Sequence, residues 1–254
     1  MKIISLNTWG GRAGKEGLLT FFRHHNNEVD IFCLQEIWSA PYEHLEGKVM
    51  GGKEAKHNEI MVYGLQEISS ILTDYELYFR PHHLDNYGLL MFVRKGVMIE
   101  EEGEVYVHKE KDYIPEGDVG HHARNVQYIK IKREGTFLYV LNFHGLWNGK
   151  GKTDSEERLE QSKRIVSFVS GLTGDIVFCG DFNLLPDTKS LTTIEEAGFR
   201  NLIKEHGITS TRTDHYTGKE KFADYILASK GLPVKEFKVL PDQVSDHAPL
   251  FLEI

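Results

Sequence analysis

Apolar and polar positions follow two periods along this chain, and the places where one gives way to the other mark out its elements. Runs that are apolar almost throughout, Ile3 to Asn7, Val29 to Leu34 and Ile176 to Cys179, predict strands covered on both faces. Tyr75 to Phe79, Gly88 to Arg94, Val105 to His108, Asn125 to Arg133 and Thr136 to Phe143 read as further strands, the last two joined as a hairpin through Glu134-Gly135. Asp224 to Ala228, Val234 to Val239 and Leu250 to Ile254 complete the set. Helical spacing takes over at Leu18, Leu19 and Phe22, and again at Met61, Leu65, Ile68 and Leu72 after a polar, glycine-bearing loop from Ala40 to Asn58. A third helix carries Ile165, Phe168, Val169 and Leu172, opened by a capping box at Thr153 or Asp154 with Glu156 and Glu157, and closed at Gly171. A fourth covers Leu191 to Ala197. Hairpins mixed with single helices favour a layered α/β architecture over a purely parallel sheet.

Composition narrows the class. The chain of 254 residues has an ordinary apolar fraction of 40%, enough for a sizeable core, and neither an internal repeat nor a low-complexity linker divides it, so residues 1–254 are expected to form a single domain. The net charge of −8 gives no global field to draw a polyanion or an anionic membrane, so any phosphate must meet local positive charge. Cys33 and Cys179 sit in apolar runs without metal-ligand spacing and read as buried free thiols. With no signal-peptide segment and no membrane-spanning run, the expectation is a cytoplasmic protein without membrane insertion.

The chemistry gathers at strand ends. Gly180-Asp181-Phe182-Asn183 follows the Ile176 strand, and residues two apart on extended chain share a face, so a carboxylate acceptor and an amide donor converge. Polar groups end other strands in the same way: Asn7-Thr8, Gln35-Glu36, His144, and Ser245-Asp246-His247 before the last one. Turn chemistry or a satisfied core histidine explains any one of these, but not the recurrence. Asn, Glu, Asp and His without cysteine form a hard-ligand set suited to Mg²⁺ or Mn²⁺ rather than to structural zinc. Arg124, at the start of a strand, either reaches substrate phosphate or pairs with a surface carboxylate.

Competing motifs fail on spacing. Gly145 to Thr153 lies between a strand and a helix like a P-loop, but the glycine needed five positions before Gly151 is Leu146. No G-x-S-x-G is present, and Ser245, Asp246 and His247 are contiguous, so a serine-hydrolase triad is excluded. The pairs His24-His25, His82-His83 and His121-His122 read as surface loops, because sequence neighbours point apart in extended chain.

Leu6-Asn7-Thr8-Trp9, Leu34-Gln35-Glu36, Asn142-Phe143-His144, Gly180-Asp181-Phe182-Asn183, Asp224-Tyr225 and Ser245-Asp246-His247 together resemble, in order and interval, the motifs of the endonuclease/exonuclease/phosphatase superfamily. The resemblance implies a four-layer sandwich of two mixed β-sheets flanked by helices, hydrolysing phosphate esters with a divalent metal, Mg²⁺ or Mn²⁺. Carried over, it makes Glu36 the metal ligand with Asn7 and Asp246 beside it. It gives Asp181 and Asn183 the nucleophile and the scissile phosphate to position, His247 the part of general base or phosphate-orienting imidazole held by Asp224, and His144 the phosphoryl oxygens to stabilise. These roles suit phosphoryl transfer, which asks mainly for positioning and for charge or donors on the equatorial oxygens. Two departures stand out. The middle strand ends in His144 where apurinic-site endonucleases of the superfamily carry tyrosine, and Phe222-Ala223 precede Asp224 where relatives often have Arg-Ile.

The leading expectation is a nuclease or nucleic-acid-end phosphodiesterase. The alternatives are an enzyme of a small-molecule or lipid-derived phosphoester and, with the whole polar set present, less readily a non-catalytic phosphate-binding scaffold. Because the segment after His144 must leave from the mouth of the centre, Gly145 to Lys152 is expected to form a mobile rim. There Trp147 offers a flat apolar face, and Lys150 or Lys152 contacts substrate.

Overall fold

The expected strands pair into two six-stranded sheets in a computed structural model that describes residues 1–41, 47–50, 52–54, 56–133 and 135–254. Numbered in chain order, the first sheet runs from edge to edge as β13 (Glu236–Val239), β14 (Leu250–Glu253), β1 (Lys2–Asn7), β2 (Ile31–Trp38), β6 (Tyr87–Arg94) and β5 (Tyr75–His83). The second runs as β11 (Phe199–Asn201), β12 (Asp224–Ser229), β10 (Asp175–Asp181), β9 (Thr136–His144), β8 (Arg124–Arg133) and β7 (Ile99–His108). Among the described residues only β1 with β2 and β9 with β10 are parallel, so both sheets are mixed. A small ribbon of β3 (Val49–Met50) and β4 (Lys53–Glu54) stands apart from them.

Alternation along each strand sorts the side chains into layers. Ile3, Ile31, Cys33, Met91 and Leu252 of the first sheet join Val126, Ile129, Val140, Phe178 and Ile226 of the second in one buried cluster. Their neighbours Ile4, Phe32, Leu34 and Phe92 turn the other way, onto Leu18, Leu19 and Phe22 of α1 (Lys15–His25) and Ile68 of α2 (Gly64–Ser69). Ile165 and Val169 of α3 (Glu156–Val169), with Leu191 and Ile194 of α4 (Lys189–Glu196), bury their apolar faces on the second sheet's side. The result is the four-layer sandwich, each large apolar side chain contributing about 1.5–3 kcal/mol by leaving water. No helix among the described residues is long and apolar enough to cross a membrane.

A polar tie crosses the apolar interior just below the strand ends. Gln35 Nε2 donates to Asn142 Oδ1 at 2.7 Å, and Asn142 Nδ2 donates to Leu34 O at 3.0 Å and to Gln127 Oε1 at 3.1 Å. All three side chains are buried, so the bonds fix how the two sheets face each other and hold the ends of β2 and β9 side by side.

Several expectations shift. Strand β2 does not stop before Glu36 but continues to Trp38 across a bulge, with the register slipping between Leu34 and Ile37. The capping residue of α3 is Ser155, whose side chain accepts from Arg158 N; Asp154 instead accepts from the backbone of Lys189 and Ser190 at the start of α4. The helix expected over Met61 to Leu72 is shorter, and the short elements β11 and α5 (Leu202–Glu205) appear where no pattern announced them. Glu134 of the expected hairpin turn, and part of the loop expected from Ala40 to Asn58, lie outside the described residues. His82, His83 and His122, expected in surface loops, are buried, His122 stacking on both partners with ring centroids 4.7 and 5.3 Å away. His82 and His122 meet the Tyr87 ring edge-on because β5 runs on to His83 and a short turn brings His122 to the start of β8.

Candidate active site

The parallel pair β9 and β10 sets the centre. His144 and Asp181 are register partners at the carboxyl ends of their strands, and Gly145 N donates to Asp181 O at 2.6 Å. A side chain on Gly145 would collide with the Phe182 carbonyl, and one on Gly180, with φ +141°, would collide with that of Phe143, so glycine lets the two strand ends close on each other. Antiparallel pairing puts Asp224 of β12 opposite Asp181. Beyond the strand Asn183 takes φ +53°, its N–H donating to Asp181 Oδ1 at 2.8 Å and its amide to Gly145 O at 3.3 Å.

The first sheet supplies the other half. Asn7 Nδ2 reaches Glu36 Oε1 at 3.1 Å and Asp181 Oδ2 at 3.0 Å, joining carboxylates from both sheets, while its Oδ1 accepts from Trp9 N at 2.9 Å. Glu36 is aimed by the bulge, where it adopts φ +59°, a conformation rare outside glycine and held here by the ladder on either side. His247 comes from the turn before β14, fixed by a bridge to Arg212 and by its N–H to Ser245 Oγ. Its Nδ1 lies 2.9 Å from both oxygens of Asp224, and its Nε2 lies 3.6 Å from Asp181 Oδ2; His144 Nε2 approaches the same oxygen at 3.7 Å.

These groups open onto a cavity of about 810 Å³ lined by Glu36, Arg124, His144, Trp147, Lys152, Asp181, Asn183, Asp246 and His247 among others. Asn7 and Asp224 stand behind it, touching Glu36, Asp181 and His247. Lys150 is exposed and outside the lining. Nor is Gly145 to Lys152 a loose rim. Arg158 donates to the carbonyls of Leu146, Gly151 and Thr153, Leu146 N donates to Gln161, and Lys152 O accepts from Leu185 N. That pinning places Lys152, and not Lys150, on the cavity wall. Arg124 is neither exposed nor paired with a carboxylate among the described residues; Nη2 donates to Gly120 O.

Electrostatics differentiate the titratable groups. Burial drives His144 well below its ordinary value, and Arg124 adds to this, so its imidazole is neutral. Burial and Arg212 also pull on His247, yet Asp224, Asp246 and Asp181 outweigh them and its pKa is raised. Asp181 stays ionised: burial opposes its charge, but His247, His144, Lys152 and Arg212 hold it well below the carboxylate range. Burial raises Glu36, against Arg12 and His247.

Asp181, Asp224 and His247 offer ligand atoms within 4.8 Å of one another, but Asp224 is already committed to His247 and to the Thr211 hydroxyl. Glu36 and Asp246 fit a hard cation better. Asp246 Oδ1 is buried without a hydrogen-bond partner, and the desolvated Glu36 carboxylate faces the cavity. Asn7 presents its amide nitrogen to Glu36 and to Asp181 and so orients those two carboxylates.

The sequence reading missed Arg212, which donates to Asp246 Oδ2 at 3.2 Å and stacks on Tyr216 with its Cζ 4.1 Å from the ring centre. It lies in a stretch without helical or strand period, and the one signal is an arginine between Thr211 and Thr213, four residues before Tyr216.

The family model described as Endonuclease/Exonuclease/phosphatase family matches residues 4–247. Among solved structures, a mannosyl-6-phosphatase from Bacteroides thetaiotaomicron is similar at 18% identity and TM-score 0.72, covering 100% of this chain and 98% of that one. An endonuclease/exonuclease/phosphatase family protein from Leptotrichia buccalis is similar at 21% identity and TM-score 0.71, covering 100% and 99%. D. rerio TDP2 complexed with single strand DNA product is similar at 18% identity and TM-score 0.67, covering 99% and 97%. Identities this low speak to the fold. No curated protein sequence matches the chain at a significant level.

Proposed function

The chain belongs to the endonuclease/exonuclease/phosphatase family and is a phosphoester hydrolase, and we propose that residues 1–254 act as one domain whose chemistry takes place where Asp181, His144 and His247 converge. The observation that carries this reading is that both imidazole Nε2 atoms lie within 3.7 Å of one oxygen of a buried, ionised carboxylate.

Asp181 accepts a hydrogen bond from the attacking water through Oδ2, which also accepts from Asn7, and orients it; Oδ1 accepts from Asn183 N. Asp224, as an acceptor, keeps the His247 proton on Nδ1, so Nε2 faces the phosphoryl group. Asp224, Asp246 and Asp181 raise the His247 pKa and so favour the imidazolium, whose Nε2 hydrogen-bonds a phosphoryl oxygen; Asn183 supports the same group. His144, held neutral, donates from Nε2 without adding charge beside Arg124. Glu36, oriented by Asn7, and Asp246, held by Arg212, are the residues that would hold Mg²⁺ or Mn²⁺. Such an ion supplies Lewis-acid stabilisation of the phosphoryl oxygens when bound.

Two substrate classes have support, a nucleic-acid end and a small phosphoester, since the neighbours include one protein complexed with single strand DNA product and one mannosyl-6-phosphatase. Trp147 offers a flat surface for a base or sugar in either case, and Arg124 and Lys152 line the same cavity. Incubating the purified protein with Mg²⁺ or Mn²⁺ and single- and double-stranded DNA, RNA, phospholipids and sugar phosphates tests the reading. Release of phosphate or nucleotide from at least one is expected, and no release from any contradicts it.

A further inference from the structure

We infer that the substrate is a phosphomonoester, and that Arg124 and Lys152 take up the two negative charges of its terminal phosphate. This rests on the reading of the cavity as a phosphoesterase site.

Both side chains line the cavity and both are almost fully covered, Arg124 at 1% and Lys152 at 3% relative exposure. Arg124 Nε and Nη1 and Lys152 Nζ are buried without a hydrogen-bond partner, and neither residue forms an ion pair among the described residues. Arg212 does not relieve this. It stacks on Tyr216 and is paired with Asp246, while Lys152 Nζ lies 5.8 Å from the same ring, so one cation bears on the other. Burial and Arg212 together push the Lys152 pKa down to about 8. Burying a cation without a carboxylate in direct contact is unfavourable, and a fold that holds two in the lining of one cavity is built to receive an anion there.

Their placement says which anion. Arg124 and Lys152 line the same cavity as His144 and Asp181, and both bear electrostatically on Asp181, so both charges act where those two groups meet. A phosphomonoester brings about −1.5 to −2 charges at neutral pH, whereas an internal diester brings a single one and needs room for chain on both sides. Lys152 is also fixed rather than mobile, because Arg158 holds the carbonyls of Gly151 and Thr153 on either side of it. The terminal phosphate can belong to a sugar phosphate or to the end of an oligonucleotide.

The test compares the parent with Lys152→Met, which removes the charge, and Lys152→Arg, which keeps it. Titration calorimetry of inorganic phosphate into metal-free protein reads the subsite without turnover. Hydrolysis of p-nitrophenyl phosphate and bis(p-nitrophenyl) phosphate with Mn²⁺ reads monoester preference, and glucose 6-phosphate against a 5′-phosphorylated oligonucleotide reads the source. Lys152→Met should weaken phosphate binding by roughly tenfold or more, the worth of a charge-assisted hydrogen bond, and lose monoester preference through KM; Lys152→Arg should keep both. A parent that prefers the diester overturns the inference. So do unchanged phosphate affinity in Lys152→Met and equal losses in both variants, the mark of a packing residue. Phosphate binding of the expected pattern in a protein that cleaves no ester would support the subsite and contradict the phosphoesterase reading.

Discussion

His247 Nδ1 sits 2.9 Å from both carboxylate oxygens of Asp224, and the pair is buried. Since a carboxylate only accepts, the proton is held on Nδ1 and the other nitrogen is turned toward Asp181. Asp224→Asn keeps the shape but removes a charge that favours the His247 imidazolium and offers a donor as well as an acceptor, freeing the ring to lose its proton and turn. Turnover should fall on the order of a hundredfold or more, with KM little changed. Steady-state kinetics check this; a change in KM alone would make Asp224 a structural residue.

Glu36→Gln should leave the fold intact and raise the apparent Mn²⁺ requirement by roughly tenfold or more, because the amide keeps the volume and loses the charge a hard cation needs. Calorimetric titration of Mn²⁺ separates this from an effect on chemistry. Identical metal affinity in parent and variant would move the ion off Glu36.

Acid should destabilise the protein through the stacked histidines. Burial and Arg124 lower His82 to about 3 and take His122 well below its ordinary 6.5, so both are neutral when folded. Below pH 6.5 the unfolded chain binds protons that the folded one refuses. The stability they contribute is therefore full above that value and is lost as pH falls toward the folded pKa, by up to about 1.4 kcal/mol per pH unit and group. Urea unfolding between pH 7.5 and 5.5 should show that slope, and His82→Gln should make it shallower.

How far the chain announces its own structure differs by element. The buried strands at Ile3 and Ile176 were legible because consecutive apolar residues leave no other packing, and the polar groups ending them met as expected. Glu36 was legible as a carboxylate but not as a bulge, since a φ of +59° inside an extended run is imposed by pairing with β6 and leaves no mark on periodicity. Burial of His82 and His122 depends on two segments meeting 40 positions apart, which no local pattern records. Arg158 carries no motif that singles it out in the sequence, yet it pins the segment that puts Lys152 on the cavity wall.

Arg158→Met should therefore act at two levels. It leaves the carbonyls of Leu146, Gly151 and Thr153 without their donor, which should cost about 2–3 kcal/mol of stability. Loosening the segment should also raise KM for the substrate. Denaturation and kinetics on one preparation check both effects, and a stability loss with unchanged KM would mean that Lys152 is placed without it.

The most direct measurement is the initial rate of phosphate-ester hydrolysis by the parent and by Asp181→Asn, each assayed with Mn²⁺, after chelation with EDTA, and after Mn²⁺ is restored. Water held by Asp181 beside a bound metal requires hydrolysis by the parent that chelation abolishes and metal restores, and a rate on the order of a thousandfold lower in a folded Asp181→Asn, whose uncharged amide holds the water less strongly. Hydrolysis that survives chelation, or equal rates in parent and variant, would contradict this arrangement.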